Sequence, residues 1–284
     1  MNKNKDSGEF DEIIHSIQKI YGQDISCFDR GFVIKCLERI TAENNLNSPE
    51  SYLKLVLENS SEAKKFFDSL NITYSEFFRN PLTFALLGRL VFPMILCEKE
   101  KLKNNSIRIW SAGCAGGQEA YSIAILLDEL LTDKGKNYKY HIFATDINGI
   151  SMEFAKKGSY DFAAVKNVTL NHISRYFTKD KDGYNINPKL KKHIDFSVYD
   201  LLDGLTSCPP ESIYGEFDLI ICSNLLFYYN IDKQREIINK IRECLPEGGY
   251  FVTGEAEKYI VEKISCFSSV SYAGAIFKKI KQVR

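Results

Sequence analysis

Apolar residues from Phe10 to about Leu70 recur at intervals of three and four. Ile13, Ile14, Ile17 and Ile20 form one stripe, and Phe32, Val33, Cys36, Leu37 and Ile40 form a second. Tyr52, Leu53, Val56 and Leu57 form a third. This spacing puts side chains on one face of a helix, so the region is predicted to be a small all-helical module. Ser48-Pro49-Glu50-Ser51 supplies a helix start, with a hydroxyl cap, proline at the first helical position and a carboxylate in the first turn. A long apolar helix is expected after Phe84, through Leu86-Leu87, Leu90-Val91 and Ile95-Leu96.

Beyond it the period changes. Short β-type runs, Ile107–Trp110, His141–Thr145, Asp195–Val198, Phe217–Cys222 and Tyr250–Thr253, alternate with helical stretches such as Glu119 to about Leu131 and Lys233–Cys244. Strand and helix alternating in this way predict a doubly wound α/β sheet. Val270-Ser271-Tyr272 and Ala275–Lys278 read as a terminal hairpin.

The chain has 284 residues, room for one large domain or a Rossmann-sized domain plus a small one. Its 37 basic and 37 acidic side chains cancel, so no global field recruits nucleic acid or anionic membrane. No uninterrupted apolar run reaches the roughly 18 residues of a membrane span. The polar stretch Met1–Glu12 reads as neither a signal nor a transit peptide. The eight cysteines are scattered without a C-x-x-C pair, and the four histidines lack metal-ligand spacing. Reduced thiols in a cytoplasmic protein, with no metal and no membrane insertion, are the expectation.

Candidate chemistry centres on Ile109-Trp110-Ser111-Ala112-Gly113-Cys114-Ala115-Gly116-Gly117-Gln118-Glu119, a strand running through small residues into a helix. Glycines at such a turn let a ligand approach the backbone at the helix N-terminus. With glycines at 113, 116 and 117, the spacing is not G-x-G-x-x-G, which disfavours a nicotinamide-dependent oxidoreductase. No G-x-x-x-x-G-K-[ST] occurs, which disfavours a nucleotide triphosphatase. Asp146 ends the next strand, where a carboxylate accepts hydrogen bonds from both hydroxyls of a ribose. A nucleoside cofactor without phosphates suits this lysine-free loop, although the loop by itself also fits a plain strand-turn-helix without ligand.

The same residues resemble a family signature. Trp110–Cys114 followed by Gly117-Gln118-Glu119-Ala120-Tyr121-Ser122 is similar to that of CheR-type methyltransferases, which esterify glutamates on bacterial chemoreceptors. Ile72–Pro81 resembles the family's linker motif, Ala144–Ile147 its second strand, Phe217–Asn224 its fourth, and Gly248-Gly249-Tyr250 its final turn and strand. The resemblance implies a Rossmann-like S-adenosylmethionine-dependent methyltransferase sheet with a small β subdomain insert, preceded by an all-helical N-terminal domain. The implied boundaries are 1–84 for the helical domain and linker, 85–284 for the methyltransferase domain, and about 158–193 for the insert. It further implies S-adenosylmethionine as cofactor, S-adenosylhomocysteine as product, and a protein substrate such as the cytoplasmic helices of a chemoreceptor. A peptide docked on the β subdomain is a further implied partner.

Site residues carry over by position. The resemblance assigns cofactor contacts to Thr73, Ser75, Arg79, Ala112, Gly113, Glu119, Asp146, Ile147, Asp200, Leu201, Ser223 and Asn224. Glu119 would hold the amino-acid part and Asp146 the ribose. Asp200-Leu201 stands where the family usually has Asn-Leu near the adenine, and an aspartate accepts a bond there but does not return one. Catalytic roles fall to Arg79, as a bidentate clamp on the substrate carboxylate, and to Tyr228, near the transferring methyl. Cys222-Ser223-Asn224 replaces the family's usual Cys-Arg-Asn, removing a positive charge. That leaves open a weakened hold on glutamate, a different acceptor, or a cofactor-binding signalling scaffold. Lys35 and Arg39 remain on the helix that family members present to the receptor, but Glu38 and Glu43 dilute them. A nucleic-acid methyltransferase is disfavoured, because Ser223-Asn224-Leu225-Leu226 stands where amine-directed enzymes carry Pro-Pro-aromatic, and Pro209-Pro210 precedes the strand.

Overall fold

A computed structural model describes residues 5–134, 138–213 and 216–281; Met1–Asn4, the start of the polar stretch, lie outside them. The described chain forms two compact units, one of residues up to Ile72 with Phe227–Arg235, the other of Thr73–Leu226 with the chain from Glu236 onward.

The first unit holds α1 (Lys5–Tyr21), α2 (Arg30–Glu43), α3 (Pro49–Glu58) and α4 (Ser60–Leu70). Each later helix starts on a side-chain cap. Asp29 accepts the Phe32 N–H, Ser48 the Ser51 N–H ahead of Pro49, and Asn59 the N–H groups of Ser61 and Glu62. These caps satisfy amides that the first helical turn leaves unpaired. The apolar stripes meet in one core, where Ile17, Leu37, Tyr52, Leu53, Val56 and Phe66 are fully buried. Ile20 departs from the expected stripe and is 57% exposed at the end of α1. Phe227–Arg235 joins this unit through a β-bridge between Phe28 and Tyr229, reinforced by Asp29 N–H to Tyr228 O at 2.8 Å and Asn230 N–H to Cys27 O at 2.9 Å.

In the second unit α5 (Pro81–Leu86) and α6 (Phe92–Lys101) are joined by a π-turn at Leu87–Val91, so the apolar helix begins three residues before Phe84. By length and composition Pro81–Lys101 could cross a membrane. Here Leu87, Val91, Phe92, Ile95 and Leu96 are instead buried in the core of the unit. The polar end is tied down by Lys99–Asp218 and Lys278–Glu98 ion pairs, each 2.7 Å.

The strands follow as β1 (Ser106–Ala112), β2 (Lys139–Asp146), β3 (Ser159–Tyr160), β4 (Phe177–Lys179), β5 (Tyr184–Ile186), β6 (Ile194–Val198), β7 (Leu219–Cys222), β8 (Tyr250–Thr253), β9 (Phe267–Ser269) and β10 (Ile276–Lys279). The helices between them are α7 (Gln118–Lys134), α8 (Gly149–Lys157), α9 (Leu170–Tyr176), α10 (Pro188–Lys191), α11 (Ile231–Cys244) and α12 (Lys258–Glu262). Seven strands form one sheet in the order β6-β2-β1-β7-β8-β10-β9. The first five are parallel, and β10 runs antiparallel to both neighbours. β1 and β7 lie side by side where the strand order reverses, so their C-terminal ends open a crevice of the kind that binds ligands in open α/β sheets. The terminal hairpin is present, but its first strand is Phe267–Ser269, and the expected Val270–Tyr272 lies in the turn. A separate antiparallel sheet, β3-β5-β4, is built from the segment after α8.

Candidate active site

β1 delivers Ser111 and Ala112 to the crevice, and the loop that follows is shaped by backbone the sequence makes possible. Gly113 and Gly117 have φ of 75° and 85°, in the left-handed region. A Cβ on Gly117 would lie 2.8 Å from the Ala155 Cβ and 3.1 Å from Phe196, while one on Gly113 would lie 3.1 Å from Leu225. The loop is tied to the end of β2. The N–H groups of Gly113 and Cys114 both donate to Thr145 O, at 2.8 and 2.9 Å, and Ala115 N–H donates to Asp146 Oδ2 at 2.9 Å. Below it, the buried Trp110 Nε1–H donates to Thr145 Oγ1 at 2.9 Å.

Asp146 is thereby held from both sides, since its Oδ1 accepts the Asn148 N–H at 2.9 Å. A carboxylate oxygen has room to accept about two hydrogen bonds, so the carboxylate retains acceptor capacity for a ribose hydroxyl. Burial pushes the Asp146 carboxyl above its ordinary range, and the N–H bonds from Asn148, Ala115 and Ile147 oppose that. Ile147, next along, is 51% exposed.

Glu119 sits in the first turn of α7. Its Oε1 accepts from Ser111 Oγ at 2.7 Å and its Oε2 from Ser223 Oγ at 2.5 Å, so three elements converge on one carboxylate. Burial pushes this carboxyl up; the two serine hydroxyls and the charge of Arg79 pull it back. Ser223, where the resemblance expects an arginine, thus contributes a hydroxyl to Glu119. Asn224 has φ of 59°, a conformation asparagine tolerates better than most residues, and its N–H donates to Glu257 Oε2 at 2.9 Å.

The remaining assigned residues are placed less uniformly. Arg79 is half-buried, with its guanidinium 5.3 Å from the centre of the Tyr74 ring. Ser75 is half-buried and Thr73 exposed. Asp200 is exposed, and its Oδ1 accepts the N–H of Leu202 at 2.8 Å in a tight turn, while Leu201 is buried. Tyr228 lies in the first unit, its ring 4.7 Å from that of Phe32 and 4.3 Å from that of Phe227. Geometry therefore gathers Ala112, Gly113, Glu119, Asp146, Ser223 and Asn224 around the ends of β1, β2 and β7. Asp200 is engaged in its own turn.

Sequence reasoning missed Glu257. Fully buried, its Oε2 accepts from Asn224 N–H, from Thr253 Oγ1–H at 2.8 Å and from Gly254 N–H at 2.8 Å, joining the ends of β7 and β8. The signal was legible as Gly254-x-x-Glu257, the spacing at which an acid reaches back to the start of a helical turn. Ser111 lay inside the quoted loop but was given no role.

These residues suit a nucleoside attached to an amino acid. Glu119 is a half-buried carboxylate whose hydrogen-bond partners among the described residues are neutral hydroxyls, a match for an ammonium group. Gln118 Oε1, beside the loop, is buried without a hydrogen-bond partner among the described residues, leaving an acceptor for a ligand donor. Residues 73–273 match the family described as "CheR methyltransferase, SAM binding domain". The chain belongs to the CheR methyltransferase family. S-adenosylmethionine is accordingly its cofactor.

Among relatives of this CheR-family chain, chemotaxis protein methyltransferase 1 of Pseudomonas aeruginosa is 32% identical over 197 residues, covering 67% of this chain and 68% of that protein. The chemotaxis protein methyltransferase of Borreliella burgdorferi is 25% identical over 260 residues, covering 90% of each. An uncharacterised 104.1 kDa protein in the hypE 3′ region of Rhodobacter capsulatus is 28% identical over 251 residues, 88% of this chain. The chain spans only 25% of the length of that relative.

Proposed function

We propose that this protein is an S-adenosylmethionine-dependent O-methyltransferase acting on glutamate side-chain carboxylates of a protein, in the cytoplasm and on a chemoreceptor-like signalling partner. The observation that supports this reading best is the Glu119 carboxylate, held between the hydroxyls of Ser111 and Ser223 and one loop away from Asp146.

Bound there, S-adenosylmethionine supplies an electrophilic methyl group on a sulfonium centre. Glu119 would take the ammonium group and Asp146 the ribose hydroxyls, while Gly113 and Ala112 allow close backbone approach. Thr73, Ser75, Ile147, Leu201 and Asn224 are assigned to the rim of the same site. An accepting glutamate is already ionised at neutral pH, so no strong general base is required of the protein. What the residues must do is align the acceptor oxygen and exclude water. Arg79 is assigned the hold on the acceptor carboxylate and Tyr228 a place beside the transferring methyl. Ser223 favours a second reading, a scaffold that binds the cofactor without turnover, because a hydroxyl directed at Glu119 does not neutralise an acceptor carboxylate as an arginine would.

Two variants separate the roles. Asp146→Ala is expected to abolish calorimetric S-adenosylmethionine binding, whereas Arg79→Ala retains much of the affinity and loses methyl transfer. Equal loss of binding and transfer in the arginine variant would remove it from the clamp role.

A further inference from the structure

Residues 72–76 form neither helix nor strand between α4 and the turn at Phe77, and within them the Tyr74 hydroxyl meets the Glu76 carboxylate, so these two side chains lie together. Thr73 and Ser75 alternate with them along the chain. The Tyr74–Glu76 pair is anchored. Glu76 accepts from the Tyr74 hydroxyl, from Lys166 Nζ at 2.8 Å and from Asn167 Nδ2 at 3.4 Å. Lys166 and Asn167 belong to the segment that also carries the small β3-β5-β4 sheet. The next residue, Phe77, is fully buried edge-on to Tyr160 of β3 and Phe177 of β4, at 4.9 and 5.4 Å. Phe78 N–H then donates to Ser122 Oγ in α7 at 3.1 Å, one turn beyond Glu119. Burial of two phenylalanines fixes the C-terminal end of the strap, while Glu76, together with the Arg79 guanidinium 5.3 Å from the centre of the Tyr74 ring, holds its polar middle.

We propose that Glu76, held by Lys166 and Asn167, is a positioning residue for cofactor binding: it locks the strap of residues 72–76 so that Thr73 and Ser75 are turned toward the cofactor. This rests on the cofactor reading given above. The inserted segment thereby has a part in the cofactor site without touching the cofactor. The Glu76 carboxylate is favoured in its ionised form first by Lys166 and then by Tyr74, consistent with a charge-based lock.

The test is S-adenosylmethionine affinity by titration calorimetry on the full chain. Lys166→Met and Glu76→Gln are each expected to weaken binding about two- to fivefold at low salt, the range for an exposed ion pair, with the melting temperature unchanged. Raising salt should bring the parent toward the variants, because the pair is screened. The charge-swapped double variant, Glu76→Lys with Lys166→Glu, should regain only part of the lost affinity, because a lysine at 76 restores the ion pair but cannot accept the Tyr74 and Asn167 bonds. In a Thr73→Val, Ser75→Ala background, Lys166→Met should cost nothing further. Unchanged affinity in Lys166→Met, or a full additional loss in that background, would overturn the proposal. The parent's own affinity tests the cofactor reading separately: a parent that does not bind defeats both, whereas a binding parent with indifferent variants defeats only the strap.

Discussion

Glu119 shows how one side chain links burial, charge and ligand choice. Removing its carboxylate from water favours the protonated form, and only hydroxyls and a more distant Arg79 resist this. An ammonium ligand binds the ionised form, so affinity for S-adenosylmethionine should rise as pH climbs through the raised carboxyl pKa, which lies above its ordinary value of 4.5. The stability of the ligand-free protein should run the other way. A carboxyl raised on folding contributes stability below its unfolded pKa, and that contribution is lost as pH rises through the folded value. Glu119→Gln should remove both dependences and weaken binding about tenfold or more, the scale of a lost charge-assisted hydrogen bond. Titration calorimetry and thermal melts from pH 4.5 to 7 on both proteins check this, and a parent whose affinity is flat across that range would refute it.

Among the elements, the turn between β1 and α7 is the most constrained. At Gly117 an added methyl meets Ala155 and Phe196 while the backbone remains left-handed. Gly117→Ala is therefore expected to destabilise the fold by about 2 kcal/mol or more, combining overpacking with an unfavourable backbone, and to lower cofactor affinity. Urea unfolding together with calorimetry measures both. This turn was legible in the sequence because its demands are local: small residues, a preceding strand and a following helix. The same holds for the Ser48 cap and for the parallel strands β7 and β8, whose apolar runs Leu219–Cys222 and Tyr250–Val252 are continuous. What was not legible depends on partners distant in sequence. Ser223 finds Glu119 from 104 residues away. β9 is set by its pairing with β10, so Phe267–Ser269 is recruited in place of the more apolar-looking Val270–Tyr272. The π-turn at Leu87–Val91 likewise left no mark in the apolar spacing. The local bond from the Leu202 amide to Asp200 Oδ1, beside the cofactor contact the resemblance assigns to Asp200, is likewise seen only in the structure.

At the scale of the whole molecule, the chain combines a helical unit with a methyltransferase sheet, and the two are not cut at one point in the sequence. Phe227–Arg235, which follows β7, is packed with the N-terminal helices, and Tyr228 goes with it. Thr73–Arg79, by contrast, belongs with the sheet and carries the strap held by Glu76. The residues assigned to cofactor are thus drawn from both sides of the long α5–α6 segment. Zero formal charge gives no general attraction to a polyanion, so recognition of an acceptor must come from local geometry. Transfer of a methyl group onto a protein carboxylate is the reaction proposed for this site. It is tested most directly by incubating the protein with tritiated S-adenosylmethionine and a membrane fraction from the source cell, then measuring methanol released by alkali. Alkali-labile label on a discrete protein band, lost with Asp146→Ala, is the expected result. Cofactor binding without any labile label would contradict it and leave the scaffold reading in its place.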